Sequence, residues 1–302
     1  GEAADTANAL SLMSGVKGQY YYNTTTKSVV LDTDGNGLTQ SGDFEVVVGI
    51  TELGAADVAI DFTSGTSANT FTSGGGNDTA VAAYATDSLT MGAGNDKISV
   101  SGVTYRGTLA FGTGTDTLAV TAGSASISGA TVSGLSAITV ANGAGLTISA
   151  AQLATFNGTD SFAITGVSSE VVTVVAGTGA STETAASITA TEIDFDFTSN
   201  NAADVLIGNS GDDNFNIVGG TGVATITGGT GTLDKITVAT SDYDASADTV
   251  TGVEVIALGS GLDITITAAQ LAANSLSAVG SAGGTSLLNV SGTAAADTID
   301  IS

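Results

Sequence analysis

Oxygen-bearing groups recur at regular intervals between Asp32 and Asp43. Counting Asp32 as position 1, they fall at positions 1, 3, 5, 7, 9 and 12, and Gly37 stands at position 6. An oxygen-only cage for Ca²⁺ needs this spacing, because the glycine allows the sharp turn that brings the ligands together. The candidate ligands are Asp32, Asp34, Asn36, the main-chain carbonyl of Leu38, Gln40 and Asp43. A metal-free Asp/Asn/Gly turn is the alternative interpretation.

This segment resembles the calcium loop of EF-hand proteins, and it departs from that family in two respects. Position 12 is Asp43, where the family usually has Glu. The flanking residues 20–30 and 44–50 have the β-branched or alternating pattern of strands rather than of helices. We therefore predict a β-hairpin that is closed by a calcium loop.

A second group of motifs combines glycines with an aspartate and a following apolar residue, at residues 74–78, 92–98, 112–118, 208–215 and 228–236. Glycine tolerates positive φ and exposes carbonyls, the aspartate supplies a charged ligand, and the apolar residue enters the core. Plain Gly-Asp turns are the alternative. The candidate metal-binding residues of this group are Gly76, Asp78, Asp87, Gly94, Asp96, Gly114, Asp116, Gly211, Asp213 and Asp234.

These motifs resemble the nonapeptide repeats of RTX proteins, GGxGxDxUx, where U is apolar. The resemblance implies a parallel β-roll with Ca²⁺ bound between successive turns. Asp78, Asp87 and Asp96 are nine residues apart, so one coil of eighteen residues would stack Asp78 on Asp96 and place Asp87 at the opposite edge. The spacing lengthens to 20 residues at Asp116 and to 21 between Asp213 and Asp234. We therefore expect irregular corners and calcium at only some of these positions.

The elements that must position these residues form tandem units. Residues 61–78 align without a gap with residues 196–213, and a related segment begins at Asn289. We predict an N-terminal hairpin segment (1–60), two repeat units (61–195 and 196–288), and a third unit or capping turn (289–302). Short β-branched strands between glycine-rich turns indicate an all-β chain, either a parallel β-solenoid or a sandwich array. The spacings of the glycine and aspartate motifs favour the elongated parallel β-solenoid.

Both repeat units also contain Ala-Ala-Gln-Leu directly after a strand, at residues 150–153 and 268–271. We expect a short helical turn at each place, with Leu153 and Leu271 packing inward at a solenoid corner.

The composition excludes several classes of site. The chain has no Cys, His or Pro, which removes disulfides, thiolate and imidazole metal sites, and histidine bases. Thirty acidic residues face five basic ones, for a net charge of −25. Such a surface repels nucleic acid and anionic membranes and attracts divalent cations. No apolar run is long enough to cross a membrane, and the first residues do not have the pattern of a signal peptide.

Together, the motifs, the acidity and the tandem units resemble RTX-type secreted surface proteins, including bacterial S-layer proteins and large adhesins. The resemblance implies a non-enzymatic, extracellular protein of the bacterial surface that folds with Ca²⁺ and assembles with itself, with cell-surface polysaccharide as a further partner. A spacer segment of an adhesin is the second interpretation. The third is a polysaccharide-modifying enzyme on a solenoid, in which acidic clusters such as residues 192–197 or 242–248 would act as paired carboxylates.

Overall fold

The computed structural model describes most of the chain beyond residue 60 and short strands before it. The described residues are 2–3, 20–23, 28–31, 44–47, 61–63, 68–176, 179–199, 201–218, 224–274, 276–280 and 285–292. The chain divides into two compact units, Gly1–Ala59 and Ile60–Ser302.

The first unit contains a four-stranded sheet in the order β1-β2-β3-β4. Its strands are β1 (Glu2–Ala3), β2 (Tyr20–Asn23), β3 (Ser28–Leu31) and β4 (Phe44–Val47). Strands β3 and β4 are antiparallel, with Leu31 opposite Phe44, which confirms the expected hairpin. The continuous strand expected over residues 20–30 is instead two antiparallel strands, β2 and β3, because Tyr20 pairs with Leu31. The proposed calcium loop, with Asp32, Asp34, Asn36, Leu38, Gln40 and Asp43, lies outside the described residues.

The second unit is a parallel β-solenoid, as predicted. Its main sheet contains one strand from each successive coil, paired in parallel along the stack. These strands are β5 (Asp61–Thr63), β7 (Thr79–Ala82), β9 (Lys97–Ser101), β11 (Thr117–Ala122), β14 (Ala137–Val140), β16 (Ala163–Val175), β18 (Thr189–Ser199), β20 (Asn214–Ile217), β22 (Lys235–Val238), β25 (Val255–Leu258) and β27 (Ser277–Gly280).

Shorter parallel sheets cover the other side of the coils. The first contains β6 (Thr70–Thr72), β8 (Ser88–Thr90), β10 (Thr108–Ala110) and β13 (Thr131–Ser133). The second contains β17 (Thr182–Thr184), β19 (Val205–Ile207), β21 (Thr225–Thr227) and β24 (Thr249–Thr251). The third contains β23 (Tyr243–Asp244), β26 (Ile264–Thr267) and β28 (Leu288–Ser291). Strand β12 (Ser124–Ser126) pairs with β15 (Gly145–Ser149), which in turn pairs with β16.

The core is a set of apolar columns that run along the stack. Because side chains alternate between the two faces of a strand, every second residue points inward and meets its counterpart in the next coil. Ile98, Leu118 and Ile138 pair in register, and all three are fully buried. Farther along the stack, the rings of Phe197 and Phe215 stack with centroids 5.4 Å apart. Such thin, regular layers need few large side chains.

Two short helices replace coil corners where the sequence repeats Ala-Ala-Gln-Leu. They are α1 (Ala150–Asn157) and α2 (Ala268–Ala273), and each begins with a capping box. Gln152 Nε2 donates to the carbonyls of Ile127 (2.7 Å) and Ala130 (3.0 Å) in the preceding coil. Gln270 bonds in the same way to Ala245 and Asp248. The predicted corners are confirmed, and their glutamines fasten each helix to the coil before it.

Candidate metal centre

Three aspartates lie in line where the chain enters successive strands of the main sheet. Asp78, Asp96 and Asp116 directly precede β7, β9 and β11. They stack because the strands that they precede are in register, with Lys97 paired to both Thr79 and Thr117. Each side chain is at most 2% exposed. We call this set the N-terminal acidic column.

Hydrogen bonds between coils use one oxygen of each of the last two carboxylates. The Asp78 amide donates to Asp96 Oδ1 at 2.8 Å, and the Asp96 amide donates to Asp116 Oδ1 at 2.8 Å. The second oxygen, Oδ2, of both Asp96 and Asp116 is buried and has no hydrogen-bond partner among the residues that the structure describes. A buried carboxylate oxygen without a donor is costly, so each of these atoms calls for a cation, a proton or a water molecule.

A second acidic column lies farther along the stack. It contains one residue, Glu254, that the sequence motifs did not indicate. Asp213, Asp234 and Glu254 precede β20, β22 and β25. The Asp213 amide donates to Asp234 Oδ1 (2.7 Å), and the Asp234 amide donates to Glu254 Oε2 (3.0 Å). Asp234 Oδ2 is buried and finds no hydrogen-bond partner in the described coils, whereas Asp213 Oδ2 accepts from the Asn209 amide. We call this set the C-terminal acidic column.

The coils between the two columns have no acid at the equivalent position. Ser136 follows Asp116 in the stack, and its amide donates to the Asp116 carbonyl at 3.1 Å. Phe162 and Ile188 precede the next two strands, and both are buried. The prediction of irregular corners is therefore confirmed by the architecture, while calcium occupancy remains a prediction.

Glycines allow the turns before these aspartates to stack closely. A Cβ atom on Gly94 would lie 2.0 Å from the Gly76 carbonyl oxygen, and one on Gly114 would lie 1.7 Å from that of Gly94. In the C-terminal column, a Cβ on Gly231 would meet the Gly211 carbonyl oxygen at 2.2 Å and Asp234 Oδ1 at 2.8 Å. These glycine turns therefore bring a main-chain carbonyl of one coil against the glycine backbone of the next, and at Gly231 the Asp234 carboxylate lies beside this contact.

Because both columns are buried, the negative charge of their carboxylates is destabilised unless a proton or a cation neutralises it. Burial raises the pKa of Asp96 and of Asp116, against the opposing effect of the amide hydrogen bonds, and the charges of Asp116 and Asp78 raise that of Asp96 further. Burial likewise raises the pKa of Asp213 to about 7 and that of Asp234 to about 6. Neighbouring acids, first Asp234 for Asp213 and Glu254 for Asp234, add to these shifts.

The donor set suits Ca²⁺, which binds carboxylate and carbonyl oxygens and tolerates irregular geometry. Within the described ranges, no group of three or more carboxylate, imidazole or thiol side chains converges on one point. A calcium ion in either column would therefore take one or two carboxylates and complete its shell with glycine carbonyls and water. The residues present fit such an ion.

Asp87 lies at the opposite edge of the coil, before β8, where the nine-residue spacing predicted it. Its Oδ1 accepts from the Asn69 amide (3.0 Å) and its Oδ2 from the Tyr84 amide (2.9 Å). Because amide donors occupy both of its carboxylate oxygens, Asp87 stabilises the corner of its coil. It does not belong to either acidic column.

A row of exposed or half-buried amide and acid side chains runs beside the columns. Asn77 Oδ1 accepts from the Asn95 amide at 2.7 Å, and Asn95 Oδ1 accepts from the Thr115 amide at 2.9 Å. In the C-terminal part, Asp194 and Asp212 accept in the same way from the next coil. Glu192, Asp194 and Asp212 also line a cleft of about 210 Å³. This row was not singled out in the sequence because most of its members lie beside the motif aspartates and share their spacing, with 18 residues from Asn77 to Asn95 and from Asp194 to Asp212.

The two weaker acidic clusters are parts of the coils. Ile193, Phe195 and Phe197 are buried, as expected for an amphipathic strand with its carboxylates on the other face. In the segment 242–248, Asp248 Oδ2 accepts from the Tyr243 hydroxyl (2.9 Å), and Asp244 Oδ1 accepts from the Ser246 amide (3.0 Å). These contacts assign both clusters a part in the fold.

No protein-family model matches the chain, and no curated protein or solved structure is significantly similar to it. Among the described helices, none has the length and apolar character needed to cross a bilayer.

Proposed function

We propose that this chain is a calcium-dependent structural protein of the bacterial cell surface that assembles with copies of itself into an S-layer or an extracellular matrix. The observation that carries the proposal is the pair of acidic columns, in which Oδ2 of Asp96, Asp116 and Asp234 is buried and accepts no hydrogen bond from any described residue. When bound there, Ca²⁺ neutralises the stacked carboxylates and links one coil to the next.

Coupling between calcium and folding follows from where the ligands lie. Asp96 and Asp116 are 20 residues apart in sequence and meet only when two coils stack. An ion that binds the folded state alone stabilises it by mass action, increasingly as its concentration exceeds the dissociation constant. The net charge of −25 opposes compaction without cations, which strengthens this dependence.

The same charge supports the assembly part of the proposal. Two copies that carry −25 each repel one another in calcium-free buffer, and divalent cations screen and bridge such surfaces. Cell-surface polysaccharide is the proposed second partner, since acidic glycans and this chain can share bridging cations. The same acidity argues against nucleic acid as a partner.

Calorimetric titration with CaCl₂ tests the proposal on the wild-type chain and on the double variant Asp96→Asn/Asp116→Asn. Asparagine keeps the Oδ1 acceptor for the amide of the preceding coil and removes the charge, so the fold is retained. We expect calcium affinity at the column to fall at least about tenfold. Asp160→Asn removes a charge from an exposed position and controls for the loss of surface charge as such. Equal titrations of all three proteins would show that the column aspartates only shape turns.

A spacer segment of a large adhesin is the second candidate. The observation that favours it is the continuous main sheet, whose strands from β5 to β27 pair without interruption. A stack of this kind makes a stiff support for another domain. Light scattering in millimolar CaCl₂ separates the two candidates, because a spacer folds without forming particles, whereas a lattice protein forms them.

A further inference from the structure

Two buried carboxylates meet on the opposite side of the coils from the acidic columns. Glu183 is the central residue of β17, and Asp204 directly precedes β19, the neighbouring strand of the second short sheet. Both side chains are 0% exposed. The Ser181 hydroxyl lies 3.0 Å from Glu183 Oε1 and 3.2 Å from Asp204 Oδ1. Oxygens of two acids thus converge on one hydroxyl group in the interior.

The available donors satisfy only one of these acids. A hydroxyl has a single proton and cannot donate to both carboxylates at once. Asp204 also accepts from the Ser181 amide (2.9 Å), the Ser199 hydroxyl (3.0 Å) and the Asn201 amide (3.1 Å). Within the described part of the chain, Glu183 Oε2, in contrast, is buried and has no hydrogen-bond partner. Buried carboxylates are normally paired with a cation or coordinated to a metal.

Packing alone gives no reason for an acid at this position. In the three following coils, the residue in register with Glu183 is Leu206, Ile226 or Val250, and all three are buried. Helix α1 packs against β17, so the site lies beneath a helix at the start of the second short sheet. An apolar side chain would fill this position without the desolvation cost of a carboxylate.

We propose that Glu183, Asp204 and Ser181 form a cation site, separate from the acidic columns, that binds one Ca²⁺ ion inside the solenoid. Two carboxylates and a hydroxyl supply only oxygen ligands, which a hard cation prefers, and main-chain carbonyls and water complete the shell. The ion neutralises the Glu183–Asp204 pair and gives Glu183 Oε2 the partner that it lacks. This site involves none of the residues of either column, so it does not rest on the function proposed above.

Counting bound calcium tests the site. Equilibrium dialysis against ⁴⁵Ca²⁺ at pH 8 would compare the wild-type chain with Glu183→Gln, which keeps an acceptor for Ser181 and removes the charge. We expect Glu183→Gln to bind one ion fewer per chain. Asp160→Asn, with the same loss of charge at an exposed position, should bind as many ions as the wild type. Far-UV circular dichroism verifies that each variant is folded.

A second variant covers the case in which Glu183→Gln does not fold. Glu183→Leu introduces the residue that the next coil has at this position, Leu206, and should fold while also losing one ion. An unchanged ion count in either folded variant would overturn the proposal. The Asp96→Asn/Asp116→Asn variant should retain the ion bound at Glu183. If only the Asp96→Asn/Asp116→Asn variant binds fewer ions than the wild type, the result would support the proposed function and refute the Glu183 site. If only the Glu183 variants bind fewer ions, the result would support the Glu183 site and contradict the proposed function.

Discussion

Glu183 is a residue whose ionisation should control stability when calcium is absent. Burial, supplemented by the charge of Asp204, raises its pKa from 4.5 to about 7, against the opposing hydrogen bond from Ser181. The folded state therefore binds the proton more tightly than the unfolded state. Stability should fall as pH rises from about 4.5 to about 7, and the loss should persist at higher pH.

The variant Glu183→Gln should lack this dependence. In EGTA we expect it to match the wild type in free energy of unfolding near pH 4 and to exceed it by about 3 kcal/mol at pH 8. Urea unfolding across this pH range gives both free energies of unfolding. If the free energy of unfolding changes with pH in the same way in both proteins, that result would contradict the burial of Glu183.

The two kinds of buried aspartate should respond to substitution in different ways. Asp87 accepts amide hydrogen bonds with both oxygens, so Asp87→Asn should lower stability by about 1–2 kcal/mol with or without calcium. Asp96→Asn keeps the Oδ1 acceptor and removes a charge from a buried position beside Asp116 and Asp78. It should stabilise the chain in EGTA and weaken the stabilisation that CaCl₂ provides.

Thermal unfolding of both variants, in EGTA and in millimolar CaCl₂, checks this contrast. Relative to the wild type, Asp96→Asn should raise the melting temperature in EGTA and lower it in CaCl₂. Asp87→Asn should lower the melting temperature in both buffers. A calcium-independent loss of stability in both variants would mean that Asp96, like Asp87, only holds its corner.

At the scale of elements, the glycine turns decide whether neighbouring coils can stack. Gly94 has φ +135°, and a Cβ there would lie 2.0 Å from the Gly76 carbonyl oxygen. Gly102 has φ +48°, and a Cβ there would have nothing within 4 Å. Gly102→Ala should thus cost about 1 kcal/mol of backbone strain, whereas Gly94→Ala should cost at least about 3 kcal/mol and disturb the N-terminal acidic column. Urea unfolding of the two variants measures the difference, and equal losses would argue against close stacking at the turns.

The strand positions and their register were largely predictable from the sequence. Eighteen residues separate Asp78 from Asp96, and the structure pairs the residues that follow them, Thr79 and Lys97. The helical corner at Ala-Ala-Gln-Leu was equally predictable, since a serine or threonine precedes each copy and Leu153 is fully buried. Leu271 is only partly buried but packs against the core. Local patterns suffice where each coil repeats the one before it.

Other features depend on contacts between coils, which local patterns do not record. Thr182-Glu183-Thr184 has the pattern of a surface strand, and only its pairing with Leu206 reveals that Glu183 faces the core. Glu254 belongs to no glycine motif and joins its column through register alone. Strand β16 has an irregularity between Thr165 and Glu170, where the Glu170 carboxylate accepts from the Val167 and Ser168 amides. Its sequence gives no sign of so long a strand.

At the scale of the whole molecule, the balance between charge and cation binding should govern folding. Thirty acidic residues against five basic ones oppose compaction, and ordinary salt relieves this repulsion only by screening. Calcium that binds between coils acts at lower concentration and only on the folded state. Ionic strength should therefore have a general effect on folding, and Ca²⁺ should have a specific effect beyond it.

The most direct test of this calcium dependence combines circular dichroism with light scattering on the purified chain. After EGTA treatment, the chain is titrated with CaCl₂, with MgCl₂ and NaCl at matched ionic strength as controls. We predict that Ca²⁺ alone raises β structure and thermal stability and then produces ordered particles at millimolar concentration. A chain that is equally folded, equally stable and monodisperse in EGTA and in CaCl₂ would contradict the account.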